Sequence, residues 1–258
     1  MDHSRKKHTP MKQWLSVISD PESLEAPQRE FIGHRDIITR NLSRYHFVAP
    51  QVTGTLLEIG CGRGYGLEVL VPRTTTQVGI DISTNFLSDA RRGNPTAAFA
   101  CASGDTLPLA SDSFDSIIAF DVIEHAQDDR FFVSEIRRVA REGAFIALST
   151  PNRLIVSGNR VTPLNPFHVR EYLAAEFCEL LKPMFASVEV FGQFDPHYAG
   201  LSGNSLLDKI PVRWKYLLPH NLQSLVSVAI RAPLRLEDCR FDTENLKQAH
   251  TFVALCGV

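Results

Sequence analysis

The chain has 258 residues, a formal net charge of −2 and 44% hydrophobic residues. That is enough apolar material for one sizeable core, with no charge excess to draw nucleic acid. Its five cysteines are odd in number and form no CxxC pair, which argues against a disulfide framework or a zinc site. No apolar run approaches the ~20 residues that span a bilayer. The charged opening residues, with Arg5, Lys6 and Lys7, lack the apolar stretch of a secretory signal. A soluble, cytoplasmic protein is therefore expected.

Helical pieces broken by Pro10, Pro21 and Pro27 are expected first, then a helix from about Arg29 to Phe47. Together they form an N-terminal helical cap over 1–50. From Thr55 the pattern changes. Thr55–Ile59 reads as a short apolar strand, followed at once by Gly60, Gly62, Gly64 and Gly66 and a helix that ends at Pro72. Thr76–Ile80 is a second strand, closed by Asp81, and Ser83 and Thr84 cap a helix that runs to Arg92. Strands over Thr96–Ala102, Asp115–Phe120, Gly143–Ser149, Ser187–Phe191 and His250–Cys256 follow, with helices over Asp128–Ala140 and Glu171–Leu181. Strands that alternate with helices predict an α/β doubly wound, mostly parallel seven-stranded sheet. Its ligands should lie at the carboxyl ends of the strands. Residues 195–243 break the alternation and read as an insertion before the last strand, within a main domain over 51–258. The insertion either covers the site or is a purely structural cap.

The glycine loop follows a strand and opens a helix, the context that gives such a loop meaning. Asp81, 21 residues beyond Gly60, is placed to accept hydrogen bonds from ribose hydroxyls. Two cofactor classes share this layout. The dinucleotide fingerprint needs a small third residue for close helix packing, and counting from Gly60 that position is Tyr65, which is too large. The alternative spacing, Gly60-Gly62-Gly64 with Glu58 ahead, suits a cationic sulfonium cofactor with an ammonium group, because a carboxylate there would repel pyrophosphate.

These residues resemble the class I S-adenosylmethionine-dependent methyltransferases, a Rossmann-like group that includes the ubiquinone and menaquinone biosynthesis type. The likeness spans about Leu42 to Phe191 and the final strand. It rests on Glu58-Ile-Gly-Cys-Gly-Arg-Gly64, Gly79-Ile-Asp81, Gly104-Asp105-Thr106-Leu-Pro108, Ser113-Phe114-Asp115 and Phe120-Asp121-Val-Ile-Glu124-His125. The resemblance implies S-adenosyl-L-methionine as cofactor. Asp81 would take the ribose hydroxyls, and Asp105, with Thr106 beside it, the adenine amine. Glu58, Gly60 and Asp121 would lie near the methionine part. Tyr45, Cys61, Gly62, Gly64 and Ile82 complete the expected cofactor contacts.

Methyl transfer from a sulfonium needs alignment more than covalent chemistry. A base helps where the acceptor is a hydroxyl. His125 and His168 are the candidate catalytic bases. His125 follows the fourth strand, and His168 lies in Asn165-Pro-Phe-His168-Val-Arg-Glu171, after Ser149-Thr-Pro-Asn152. The latter pair of motifs, with Arg44-Tyr45, resembles a subgroup associated with bacterial glycan genes. It implies O-methylation of a sugar, glycan or small natural product. A quinone or lipid-like acceptor and a non-catalytic cofactor-binding role are the alternatives, and Tyr65 argues against a nicotinamide oxidoreductase. Asp121, Glu124, His125 and His168 could converge on a hard cation, but no ligand spacing demands one and no metal is expected. The sequence leaves the oligomeric state open.

Overall fold

The computed structural model describes residues 34–158, 160–196 and 234–258. The expected helical pieces around Pro10, Pro21 and Pro27, and most of the 195–243 insertion, including Trp214, Tyr216 and the helical-looking Leu222 to Ile230, lie outside the described residues.

The described residues begin with helix α1 (His34–Val48) and then alternate: β1 (Thr55–Ile59), α2 (Tyr65–Leu70), β2 (Thr76–Asp81), α3 (Thr84–Gly93) and β3 (Ala98–Cys101). Then come β4 (Phe114–Phe120), α4 (Asp129–Val139), β5 (Ala140–Pro151), α5 (Arg153–Val156), α6 (Ala174–Leu181) and β6 (Ser187–Phe194). Two further strands, β7 (Arg240–Asp242) and β8 (Thr251–Gly257), complete one eight-stranded sheet in the order β3-β2-β1-β4-β5-β8-β6-β7. Strands β1 to β5 pair in parallel, while β8 runs antiparallel between β5 and β6.

The sheet has one strand more than expected. The extra strand, β7, lies inside the region read as an insertion and pairs antiparallel with β6. Three residues, two of them charged, carry no readable period. What fixes β7 is tertiary: Phe241 stacks on Phe47 of α1 with ring centroids 4.1 Å apart.

The apolar runs are continuous because both faces of the sheet are covered. Leu57, Ile117 and Ile146 face a core with Phe132 and Ile136 of α4 and Phe177 and Leu181 of α6. Their chain neighbours Leu56, Ile118 and Ala147 face a second core with Tyr45 and Val48 of α1 and Leu67 and Leu70 of α2. Local chemistry sets the helix starts. The Ser83 hydroxyl accepts from the Phe86 N–H, and the Asp128 carboxylate accepts from the Phe131 N–H. Among the described residues no helix is long and apolar enough to cross a membrane.

Candidate functional site

Parallel pairing brings the carboxyl ends of β1, β2, β4 and β5 to one edge of the sheet, and the candidate residues gather there. Gly60, Gly62 and Gly64 all have positive φ, which glycine adopts without penalty. A side chain built on Gly62 would meet nothing within 4 Å, so the loop presents bare backbone to open space. The Asp81 carboxylate ties this loop to the start of α3. Its Oδ2 accepts from the Gly62 N–H and its Oδ1 from the Ser83 N–H, both at 2.8 Å. Ile82, next along, is 69% exposed and offers an apolar surface beside that carboxylate.

Glu58 is buried, and its Oε1 accepts a short hydrogen bond from the Tyr45 hydroxyl. Among the described residues Oε2, also buried, has no hydrogen-bond partner. Burial, reinforced by the nearby Asp81 charge, pushes the Glu58 carboxyl up to about 8, against the opposing pull of the Tyr45 hydrogen bond. Gly66 makes this arrangement possible, because a Cβ there would sit 2.2 Å from the Tyr45 ring and 2.6 Å from Glu58 Oε1. An unpartnered buried carboxylate oxygen beside a bare glycine loop and a strand-end aspartate fits S-adenosylmethionine. The oxygen suits its ammonium, the loop its close approach and Asp81 its ribose.

Tyr45, Cys61, Asp105 and Thr106 are the other expected contacts. Tyr45 bonds Glu58 and packs edge-on against Phe120, so it positions the carboxylate. The Cys61 thiol is buried, and burial pushes it far above its ordinary range; the residue's backbone N–H donates to the Ile80 carbonyl at 2.9 Å. Asp105 hydrogen-bonds Ser103 within its own turn, and Thr106 is exposed. Both follow β3 at the same edge of the sheet.

Asp121, just past β4, has a φ of 53°, a region costly for residues other than glycine. It is held there because its N–H donates to Ser149 and its Oδ1 accepts from the Ser149 hydroxyl at 2.8 Å. Its Oδ2 accepts from Arg44 Nη2. Arg44, for which sequence reasoning assigned no role, is therefore part of the site; its only sequence signal was its place in the Arg44-Tyr45 pair.

Two imidazoles gather beside Glu124, three residues beyond Asp121. His125 Nδ1 lies 3.0 Å from the Phe167 carbonyl, so it donates and leaves Nε2 with its lone pair. His168 Nδ1 lies 2.8 Å from Oε1 of the buried Glu171. The rings meet edge-on with centroids 5.0 Å apart. Glu124 is buried beneath them, and its Oε2 accepts from the Thr150 hydroxyl at 3.2 Å. Burial, together with the Asp121 charge, raises the Glu124 carboxyl well above its ordinary range.

The loop that carries His168 is ordered by Asn165, whose side chain accepts from the Phe167 N–H. The Val169 N–H also donates to the Glu124 carbonyl at 2.7 Å. Asn152 has a different task. It is fully buried, and its amide donates to the Ala249 carbonyl at 2.6 Å, which pins the entry to β8.

The family model described as a methyltransferase domain matches residues 57–148. A "Probable S-adenosylmethionine-dependent methyltransferase" of Mycolicibacterium smegmatis is 38% identical over 193 residues, covering 72% of this chain and 74% of that protein. A protein of the same description from Mycobacterium tuberculosis is 37% identical over 152 residues. The match covers 58% of this chain and 56% of that relative's length. In fold, the chain is similar to the N-methyltransferase NodS from Bradyrhizobium japonicum, solved with S-adenosyl-L-homocysteine. The TM-score is 0.55 at 14% identity, covering 95% of this chain and 96% of that one.

Proposed function

The chain belongs to the class I S-adenosylmethionine-dependent methyltransferases, and on that premise we propose that it methylates a hydroxyl of a sugar, a glycan or a related small natural product. One observation carries this reading. His125 and His168 stand edge-on at the carboxyl end of the sheet, each with Nδ1 engaged and no hydrogen bond to Nε2 among the described residues.

In this reading Asp81 takes the ribose hydroxyls, Asp105 with Thr106 the adenine amine, and Glu58 the ammonium of the methionine part. Gly60 to Gly64 let the backbone approach, and Asp121, fixed by Arg44 and Ser149, borders the same end. When bound, the cofactor supplies an activated methyl carbon: the acceptor oxygen bonds to it as the carbon–sulfur bond breaks, and that bond's electron pair leaves with sulfur. Holding the two reactants in line is worth about 7 to 11 kcal/mol where the geometry is right. The chain's remaining task is the hydroxyl proton. An imidazole Nε2 with a free lone pair accepts it, a contribution of about 10²- to 10⁴-fold.

A second reading is favoured by the loop before His168. Val161, Leu164, Phe167 and Val169 are exposed there, and such a surface suits an acceptor with an apolar part, such as a quinone or lipid-like molecule. The two readings separate when methyl-labelled S-adenosylmethionine is offered with a panel of mono- and oligosaccharides and, in parallel, a hydroquinone. Label in a sugar methyl ether is the expected result. Label in the hydroquinone alone overturns the sugar reading.

A further inference from the structure

We propose that Arg63 is a positioning residue for cofactor binding: it ties the glycine loop to Asp89 of α3, and affinity for the cofactor depends on that tie. The proposal rests on the reading of the Gly60 to Gly64 loop as the cofactor's seat.

Such a loop needs outside support. Gly60, Gly62 and Gly64 all have positive φ, and a stretch this rich in glycine has many other conformations open to it when released. Holding it in one shape before the cofactor arrives lowers the cost of binding. The loop's surroundings are one-sided. At Gly62 a Cβ would meet open space, whereas at Gly64 it would lie 2.7 Å from Asn94 Nδ2 and 3.1 Å from Ala90 Cβ. The loop is thus bare toward a ligand at one glycine and backed by α3 at the next.

Arg63, between these two glycines, is the one charged residue in the loop. Its guanidinium pairs with the Asp89 carboxylate. It also stands over the Phe86 ring, 4.9 Å from the centroid, within the range of a cation–π contact. Phe86 and Asp89 are three residues apart on α3 and so share one face. The Arg63 and Asp89 side chains are only 15% and 16% exposed. That separates this pair from the one Asp89 makes with Arg92, whose side chain is 73% exposed and contributes little. A second tie lies one residue further along the loop. Asn94, buried at the end of α3, donates from Nδ2 to the Gly64 carbonyl at 3.0 Å.

The helix that receives these ties is itself fixed. Asp81 accepts from the Gly62 N–H and from the Ser83 N–H, and Ser83 caps α3. Strand end, loop and helix therefore close into one ring of contacts. Cutting Arg63 from Asp89 shifts more of the restraint onto Asp81, the carboxylate that the ribose also engages. Arg63 is engaged by α3, so it acts through the shape of the backbone on either side of it.

The test is calorimetric titration of the full chain with S-adenosylhomocysteine, with thermal melting to check that each variant is folded. Arg63→Ala and Asp89→Ala should each weaken binding by about 3- to 30-fold. The double variant should bind no more weakly than the worse single one, because both changes remove the same tie. Arg63→Lys, which keeps the cation without the planar fork, should recover part of the loss. Arg92→Ala should bind like wild type. A loss of general stability would neither spare Arg92→Ala nor be relieved by lysine. Should Asp89→Ala fail to fold, Arg63→Ala and Arg63→Lys carry the test. Unchanged affinity in Arg63→Ala, or losses that simply add in the double variant, overturns the proposal. Asp81→Ala is the reference that keeps the two readings apart. If it loses affinity while Arg63→Ala keeps it, the loop stands as the cofactor's seat and the tie falls. If both keep it, the seat falls as well.

Discussion

Arg44 in α1 reaches Asp121 beyond β4, with Nη2 2.5 Å from Oδ2 and its guanidinium almost wholly buried. The same Nη2 also donates to Asn41 Oδ1 at 2.7 Å, so the first described helix and the turn after β4 share one cation. Asp121→Ala should destabilise the fold by about 3 kcal/mol, because it leaves a buried guanidinium without its partner. Urea unfolding measures this. A variant as stable as wild type would show that the pair contributes nothing.

Asp81 both closes the glycine loop and faces the cofactor's ribose in the proposed reading. Asp81→Ala should weaken S-adenosylhomocysteine binding by about 10- to 100-fold, the worth of hydrogen bonds to a charged group. Asp81→Asn, which keeps one acceptor oxygen, should lose less. Calorimetric titration reads both. Equal affinity in wild type and Asp81→Ala would remove Asp81 from the cofactor site.

In the proposed reading, Glu58 makes cofactor binding a proton-linked event. Its carboxyl is raised by burial from an ordinary 4.5 to about 8, so the folded chain keeps a proton that the unfolded chain gives up. This contribution to stability is full below about pH 4.5 and is lost as pH rises toward 8. An arriving ammonium reverses the preference, so binding near pH 7 should release a proton. Calorimetry in buffers of different ionisation enthalpy counts it, and Glu58→Gln should abolish the release. No release in wild type would detach Glu58 from the ammonium.

Gly66 leaves room for the Tyr45–Glu58 pair. Gly66→Ala should cost about 1 to 3 kcal/mol through overpacking against the aromatic ring. It should also weaken S-adenosylhomocysteine binding by displacing Glu58. Thermal melting and titration together test this; a fully neutral substitution would mean that the ring has space to move.

His125→Ala and His168→Ala should each lower turnover while leaving S-adenosylhomocysteine affinity near wild type. The measurement is initial rate on the methylated acceptor alongside calorimetric titration. Wild-type turnover in both variants would take the imidazoles out of the chemistry.

The parallel half of the sheet is legible in the sequence because both its faces are buried. Runs such as Ile117-Ile118-Ala119-Phe120 have no polar alternation to confuse them, and Gly60, Asp81 and Asp121 punctuate their ends. Boundaries shift where pairing, not composition, decides them. β5 begins at Ala140, not Gly143, and β6 runs on to Phe194 because β8 pairs with it as far as Gln193. β7 was hidden because stacking on Phe47 defines it. Within the site, the spacing of His168 and Glu171 was visible, yet their bond was not. Arg44 and Asp121 are 77 residues apart, and no local pattern links them.

The place of β8 bears on the order in which the protein can be made. This last strand in sequence lies between β5 and β6. As the chain leaves the ribosome, β1 to β5 can pair with one another, whereas β6, with β7 paired to it, must wait for β8, made some sixty residues later than the start of β6, before it joins them. Half-built sheets expose strand edges. During synthesis the exposed edge of β5 is therefore where this chain most needs protection from its neighbours.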